Sequence, residues 1–169
     1  EDWRNHTHRT AQVTLSAGSR ENVELLSSRA AHVALLQAGT VGAEPIDVVA
    51  PLYDDLVHVV VRQDRGLHEL QDLAGRRVSL GERGSGMQVS ARKVLNAFGV
   101  DPGTLQNNEV HFTQLEHDPD LDAALVTTGL ANDDLRRLLA SGEFRLLPIP
   151  AGHRLSPAVA EGPLRGGIE

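Results

Sequence analysis

The run Gly81-Glu82-Arg83-Gly84-Ser85-Gly86 sets three glycines and a serine directly before a stretch with helical apolar spacing. Glycines let a backbone come close to a ligand. The first free N–H groups of such a helix, at Gly86 to Val89, can hold an anionic group together with the Ser85 hydroxyl. The run satisfies the G-x-x-x-x-G part of a P-loop, but Met87 and Gln88 stand where Lys and Ser or Thr are needed, so the cation for the outer phosphates is missing. A dinucleotide fingerprint fails too, because Val89 takes the place of the third glycine. A small carboxylate fits what remains. The helix dipole contributes only about 0.3 to 1 kcal/mol, so the donors must be sheltered from water.

Other candidate chemistries find less support. Eight histidines include the pairs His6/His8 and His111/His117, yet no acidic partner falls in a ligand motif such as H-E-x-x-H, and solvated histidines are the expectation. Ser85 has its glycines adjacent and not two residues away, so it is no nucleophile elbow. With no base, nucleophile or cofactor motif in view, the chain is expected not to be an enzyme and to need neither cofactor nor metal. The acidic clusters Asp118 to Asp122 and Asp133-Asp134 lack calcium-loop spacing and read as solvated faces and a helix N-terminus. A formal charge of −7 with a single lysine, Lys93, speaks against a nucleic-acid partner. No cysteine is present, which excludes disulfides and thiolate zinc sites.

These residues need a scaffold, and 169 residues suffice for one ordinary domain or two small lobes. Aromatic residues are scarce at 3%, so the core must come from Leu, Val, Ala and Ile. Short β-rich runs predict strands at Gln12 to Leu15, His32 to Gln37, Leu56 to Arg62, Arg77 to Leu80, Leu121 to Val126 and Phe144 to Ile149. Helical spacing predicts helices over Glu21 to Arg29, from Met87 to Phe98 with Gly99 as the stop, and over Asn132 to Ala140. Strands alternating with helices imply an α/β class with mostly parallel sheets. Residues 39 to 55 read as an irregular connection, residues 101 to 120 as a polar crossover, and the proline-rich tail from Pro148 onward as extended or partly disordered. The chain opens on Glu1 without an apolar leader or a membrane-length apolar run, and reads as a mature chain or a trimmed piece.

Strand, Gly-Ser turn and helix follow one another twice, at Gly18-Ser19 and at Gly84-Ser85-Gly86, with a looser third version at Thr127-Thr128-Gly129. Turns of this kind collect at the carboxyl ends of parallel strands, where open α/β sheets bind ligands. The segments "GSRENVELL", "HVALLQ", "LVHVVVR", "LQDLAGRRVSLGERGSGMQVSARKVLNAFGV", "LDAALVTTGL" and "FRLLPI" resemble, in order and spacing, the TAXI family. Its members are the extracytoplasmic solute receptors of tripartite ATP-independent periplasmic (TRAP) transporters. The resemblance covers roughly residues 12 to 150.

That resemblance implies a type II periplasmic-binding-protein fold of two α/β lobes closing on a ligand. It puts a partial first lobe at residues 1–62, a second lobe with the ligand loop at 63–143, and a return strand and tail at 144–169. Carried over by position, Ser19, Asn22 and Gln37 line the first-lobe side. Gly84, Ser85, Gly86 and Met87 form the second-lobe side, with Thr127 and Thr128 in addition. The implied ligand is a small carboxylate or amino acid, the implied partner a membrane permease or other membrane protein, and the implied location the periplasm or another extracytoplasmic site. Met87 departs from the family, which has Thr there, and so removes a hydroxyl donor. The first lobe is also short, which suggests a reduced variant or a piece of a larger membrane protein. A ligand-sensing or assembly module that kept the fold without transport is the alternative.

Overall fold

The computed structural model describes residues 10–40, 42 and 44–150. The first helix, α1 (Ser19–Ser27), starts two residues earlier than its spacing predicts. It stops where Arg29 turns into the left-handed region at φ 61°. The remaining α-helices and strands among the described residues are β1 (Leu56–Arg62), β2 (Arg77–Ser79), α2 (Gly86–Ala97), β3 (Gln106–Asn108), β4 (Ala123–Thr128), α3 (Asp133–Ala140) and β5 (Phe144–Leu146).

All five strands lie in one mixed sheet of order β3-β2-β4-β1-β5. The α/β class holds. Parallel pairing is confined to β2 with β3 and with β4, while β1 runs antiparallel to both β4 and β5. The physical reason is that β1 precedes the β2-α2-β3 crossover and enters the sheet from the opposite end. Its sequence, Leu-Val-His-Val-Val-Val-Arg, suits a central strand, since Val59, Val60 and Val61 are buried in succession, so both faces are covered.

One face packs Val59, Val61, Ala123 and Leu125 against Ala91 and Leu95 of α2 and against Leu67, Leu70 and Leu73. The other packs Val60, Ala124 and Val126 against Leu135 and Leu138 of α3, with Phe112 and Leu115. The stripe expected on α2 therefore does face the sheet, and Gly99, at φ 74°, ends the helix. In α3, Asn132 caps the Leu135 N–H at 2.9 Å, and Asp133 and Asp134 sit in the first turn.

Three expectations fail. Residues 12–15 and 32–37 are not strands: among the described residues no strand pairs with them, and Val13, Leu15, Val33 and Leu35 stand 86%, 93%, 74% and 70% exposed. The polar crossover of residues 101–120 contains β3 and a short turn of 3₁₀ helix that buries Phe112 and Leu115. The cluster Asp118 to Asp122 is not merely a solvated face. Asp122 is buried, accepts the Arg77 N–H at 3.0 Å and lies 3.4 Å from Arg65 Nε, while Arg77 pairs with Asp118 and Asp120 at 3.1 Å each.

Arg62 ties this region to β1. Its Nε donates to the Leu121 carbonyl at 2.9 Å, its Nη2 to the Leu115 and Asp118 carbonyls, and the guanidinium lies 4.9 Å from the Phe144 ring centroid. His6, His8 and the tail beyond Pro150 lie outside the described residues.

Candidate functional site

Ser85 caps α2, its hydroxyl accepting the Gln88 N–H at 3.2 Å. The backbone before it is shaped by Gly81 at φ 94° and Gly84 at φ 78°. A Cβ at Gly81 would stand 3.0 Å from both Met87 Cβ and Ser85 Oγ, so this position needs glycine for space as well as for conformation. Met87 itself turns back onto Gly81 and packs against the Phe112 cluster.

The Gly18-Ser19 turn does come to meet this loop. Gly18, at φ 131°, lies so close that a Cβ there would be 3.4 Å from Ser85 Cα. A Cβ at Gly84 would be 3.4 Å from Arg20 Cδ. At Gly86 it would be 2.2 Å from Gln37 Oε1, so the Gln37 side chain rests directly on the first residue of α2. Ser19 and Asn22 hold that segment in place. Ser19 Oγ accepts the Gln37 N–H at 3.0 Å, and Asn22 Nδ2 donates to the Leu35 carbonyl at 2.9 Å. Lys93 Nζ adds a bond to the Gly39 carbonyl at 3.2 Å from the side of α2.

Beside this contact opens a shallow groove of about 290 Å³, lined by Ala17, Arg20, Glu21, Glu24, Arg83 and Gly84. Its volume sits at the lower edge of small-molecule sites, which run from about 300 Å³ upward. Of the nine residues carried over from the family, Gly84 alone lines it. The charged residues Arg20, Glu21, Glu24 and Arg83 carry no motif of their own in the sequence, though each stands within a few positions of a Gly-Ser turn. Arg20 lies 3.8 Å from Glu24, and Arg83 Nη2 lies 2.7 Å from Glu109. The hydrogen bond from Arg83, helped by one from Gln88, holds the Glu109 carboxyl below its ordinary pKa. Both guanidiniums point into water, so a ligand anion can exchange with these carboxylates at little desolvation cost.

The third turn lies at the carboxyl end of β4. Thr128 Oγ1 accepts from Asn132 Nδ2 at 3.1 Å. Thr127 Oγ1 is buried with no hydrogen-bond partner, and so is Nε2 of His58 on the neighbouring strand. Thr127 pairs with Val57, next to His58, so both orphaned atoms sit at one end of the β1/β4 pair. Each costs about 1 to 3 kcal/mol unless some group supplies a partner. By strand alternation Thr127 shares the face of Leu125, under α2. His111 is engaged locally, its Nδ1 2.8 Å from Thr113 Oγ1. Among the described residues no group of three His, Asp or Glu is placed to hold a metal, and no helix is long and apolar enough to cross a membrane.

The fold matches that of the alkanesulfonate-binding protein SsuA from Xanthomonas axonopodis pv. citri bound to MOPS. That match has a TM-score of 0.54 and 16% identity, over 86% of this chain and 52% of that one. The periplasmic aliphatic sulphonate binding protein SsuA from Escherichia coli matches with a TM-score of 0.46 and 17% identity, over 54% of this chain and 31% of that one. An arginine-bound ArgBP variant from T. maritima matches with a TM-score of 0.41 and 17% identity, over 57% and 43%. The chain thus spans about half, or less, of the length of these proteins. At such identities the first match carries the fold and the other two add nothing to the argument. The sequence itself matches the family model described as NMT1-like family over residues 3–163, nearly its whole length, and the chain belongs to that family.

Proposed function

We propose that this chain is a solute-binding module that takes a small organic anion at the junction of its two Gly-Ser turns. The acid group enters the groove beside Gly84, between Arg20 and Arg83. The observation that carries this reading is the convergence of the two turns, Gly18 on Ser85 and Arg20 on Gly84, with two guanidiniums at the rim. The shared fold with a sulfonate-binding protein adds sulfonates to carboxylates and amino acids as candidates. Opening of the contact between the turns admits the solute and reclosure traps it, a population shift driven only by contacts made to both sides.

Delivery to a TRAP-type permease from an extracytoplasmic site is the finer part of the proposal and rests on the TAXI resemblance. It predicts uptake that follows an ion gradient and persists when ATP is depleted. The module itself is tested by a thermal-shift screen with alkanesulfonates, amino acids and dicarboxylates, because a ligand specific to the folded state raises Tm. Binding of the best solute must then weaken in Arg20→Ala at unchanged Tm of the free protein, and in Arg83→Ala by more than Glu109→Gln, which loses the same ion pair, weakens it. A flat screen overturns the reading. It would favour the sensing or assembly module, which the direct seating of Gly18 on Ser85, with no space between them, also favours.

A further inference from the structure

From residue 30 through residue 61 the chain has no lysine or arginine, yet it carries Glu44, Asp47, Asp54 and Asp55. All four are exposed. Glu44 accepts the Gly42 N–H, and none of the four forms an ion pair among the described residues. Between them stand Val48, Val49, Leu52 and Tyr53, all open to water, Val49 at 85% and Tyr53 at 74%. The strip is seated on the sheet domain: a Cβ at Gly129 would lie 3.6 Å from Tyr53 Cδ2, and the next residue, Leu130, is itself exposed. Residues 46–55 belong to neither a helix nor a strand, and the Ile46 N–H is taken by the Glu44 carbonyl at 2.8 Å. Apolar side chains gathered in this way on a surface mark a place that another molecule covers.

We propose that residues 46–55 and Leu130 form a docking strip for a polypeptide segment that alternates apolar residues with lysine or arginine. The charge pattern selects this occupant. An anionic membrane surface or a nucleic acid would be repelled by four carboxylates with no cation among them. A second copy meeting the strip about a two-fold axis would set the same four carboxylates against themselves. The strip is irregular and interleaves both kinds of group, so the basic residues of such a segment pair with Asp47, Asp54 and Asp55 while their apolar neighbours cover Val49, Leu52 and Tyr53. The strip shares no residue with the groove at Arg20 and Arg83.

The probe is an acetylated, amidated heptapeptide alternating lysine and valine, titrated into the isotope-labelled full chain and followed by backbone amide shifts. Saturable shifts are expected at residues 46–56 and 129–131, with affinity falling about fivefold between roughly 50 mM and 200 mM NaCl. Asp54→Asn with Asp55→Asn, and separately Val49→Ser with Leu52→Ser, are each expected to weaken binding roughly threefold to tenfold at unchanged Tm. The proposal is overturned if a lysine/serine heptapeptide binds equally well, or if shifts centre on Asp118 to Asp122 or Asp133-Asp134. Strip-dependent self-association in sedimentation, or binding to vesicles of phosphatidylserine and phosphatidylcholine through the strip, overturns it as well.

Discussion

Gly86→Ala places a methyl group where Gln37 already lies. The new Cβ would stand 2.2 Å from Gln37 Oε1, 2.6 Å from Gln37 Cβ and 3.0 Å from Gln37 Cδ, against about 3.5 to 4.0 Å for ordinary carbon contact. Turning the Gln37 side chain away does not help, because its own Cβ is already too near. The backbone at residue 37 has to retreat, which breaks the Gln37 N–H bond to Ser19 Oγ at 3.0 Å and the Thr40 hydroxyl bond to the Gln37 carbonyl at 2.6 Å. Overpacking of this kind costs about 1 to 3 kcal/mol, and each lost hydrogen bond about 0.5 to 1.5 kcal/mol. Retreat relieves the first at the expense of the second. Alanine gains at most about 1 kcal/mol over glycine from helix propensity. The loss wins by about 1 to 2 kcal/mol, enough for roughly a fivefold to thirtyfold rise in opening of this contact. Hydrogen exchange at the Gln37 amide reads that opening directly. In a Gln37→Gly background the clash is gone, so the same substitution should turn neutral or slightly protective. If Gly86→Ala accelerates exchange equally in both backgrounds, with coupling below about 0.5 kcal/mol, the Gln37 contact is not what requires glycine at position 86.

Asp122→Ala leaves the part-buried Arg77 N–H without its acceptor, while Arg65 keeps Asp64 and the Pro119 carbonyl, and should lower stability by about 1 to 3 kcal/mol, read as a shift in urea midpoint at constant slope. Arg62→Lys keeps the charge but cannot serve the Leu121, Leu115 and Asp118 carbonyls at once, so a loss of about 2 to 3 kcal/mol is expected in the same assay. A cost equal to that of an exposed Arg→Lys change would refute the anchoring role. Glu109 has a lowered folded pKa, so its contribution to stability is full above its unfolded value of about 4.3 and fades as pH falls through the lower folded value. The Tm difference between the wild type and Glu109→Gln should therefore shrink to nothing in that acid window, and a difference that persists below it refutes the assignment.

Most of the sheet domain could be read from the sequence because its signals are local. The valine run at 57–61, the stripe Ala91, Val94 and Leu95 ahead of Gly99, and the cap Asn132 before Leu135 each report their own surroundings. β3 was hidden, since Gln106-Asn107-Asn108 has no β-like composition and is a strand only because β2 offers it a parallel edge. Residues 12–15 and 32–37 show the reverse: alternation is present, but pairing depends on neighbours that local pattern cannot supply. The repetition of the Gly-Ser turns predicts that three of them face one cleft, whereas in the structure the first two touch directly, Gly18 on Ser85. The groove's arginines were not legible, because an exposed arginine in sequence looks like any other surface charge until Gly84 and Arg20 are seen side by side.

Placing β1 in the middle of the sheet has a consequence for how the chain reaches this structure. β1 is made before any of its partners, yet its pairs Leu56 with Thr128 and Val61 with Ala123 join residues about sixty to seventy apart, and its other edge waits for β5. Three consecutive valines with both faces meant for burial therefore spend the early part of folding uncovered, with two open edges. His58 and Arg62 bracket that run. One is a polar group and the other a permanent charge, and together they act as gatekeepers that keep the strand from stacking on its own kind until β4 arrives.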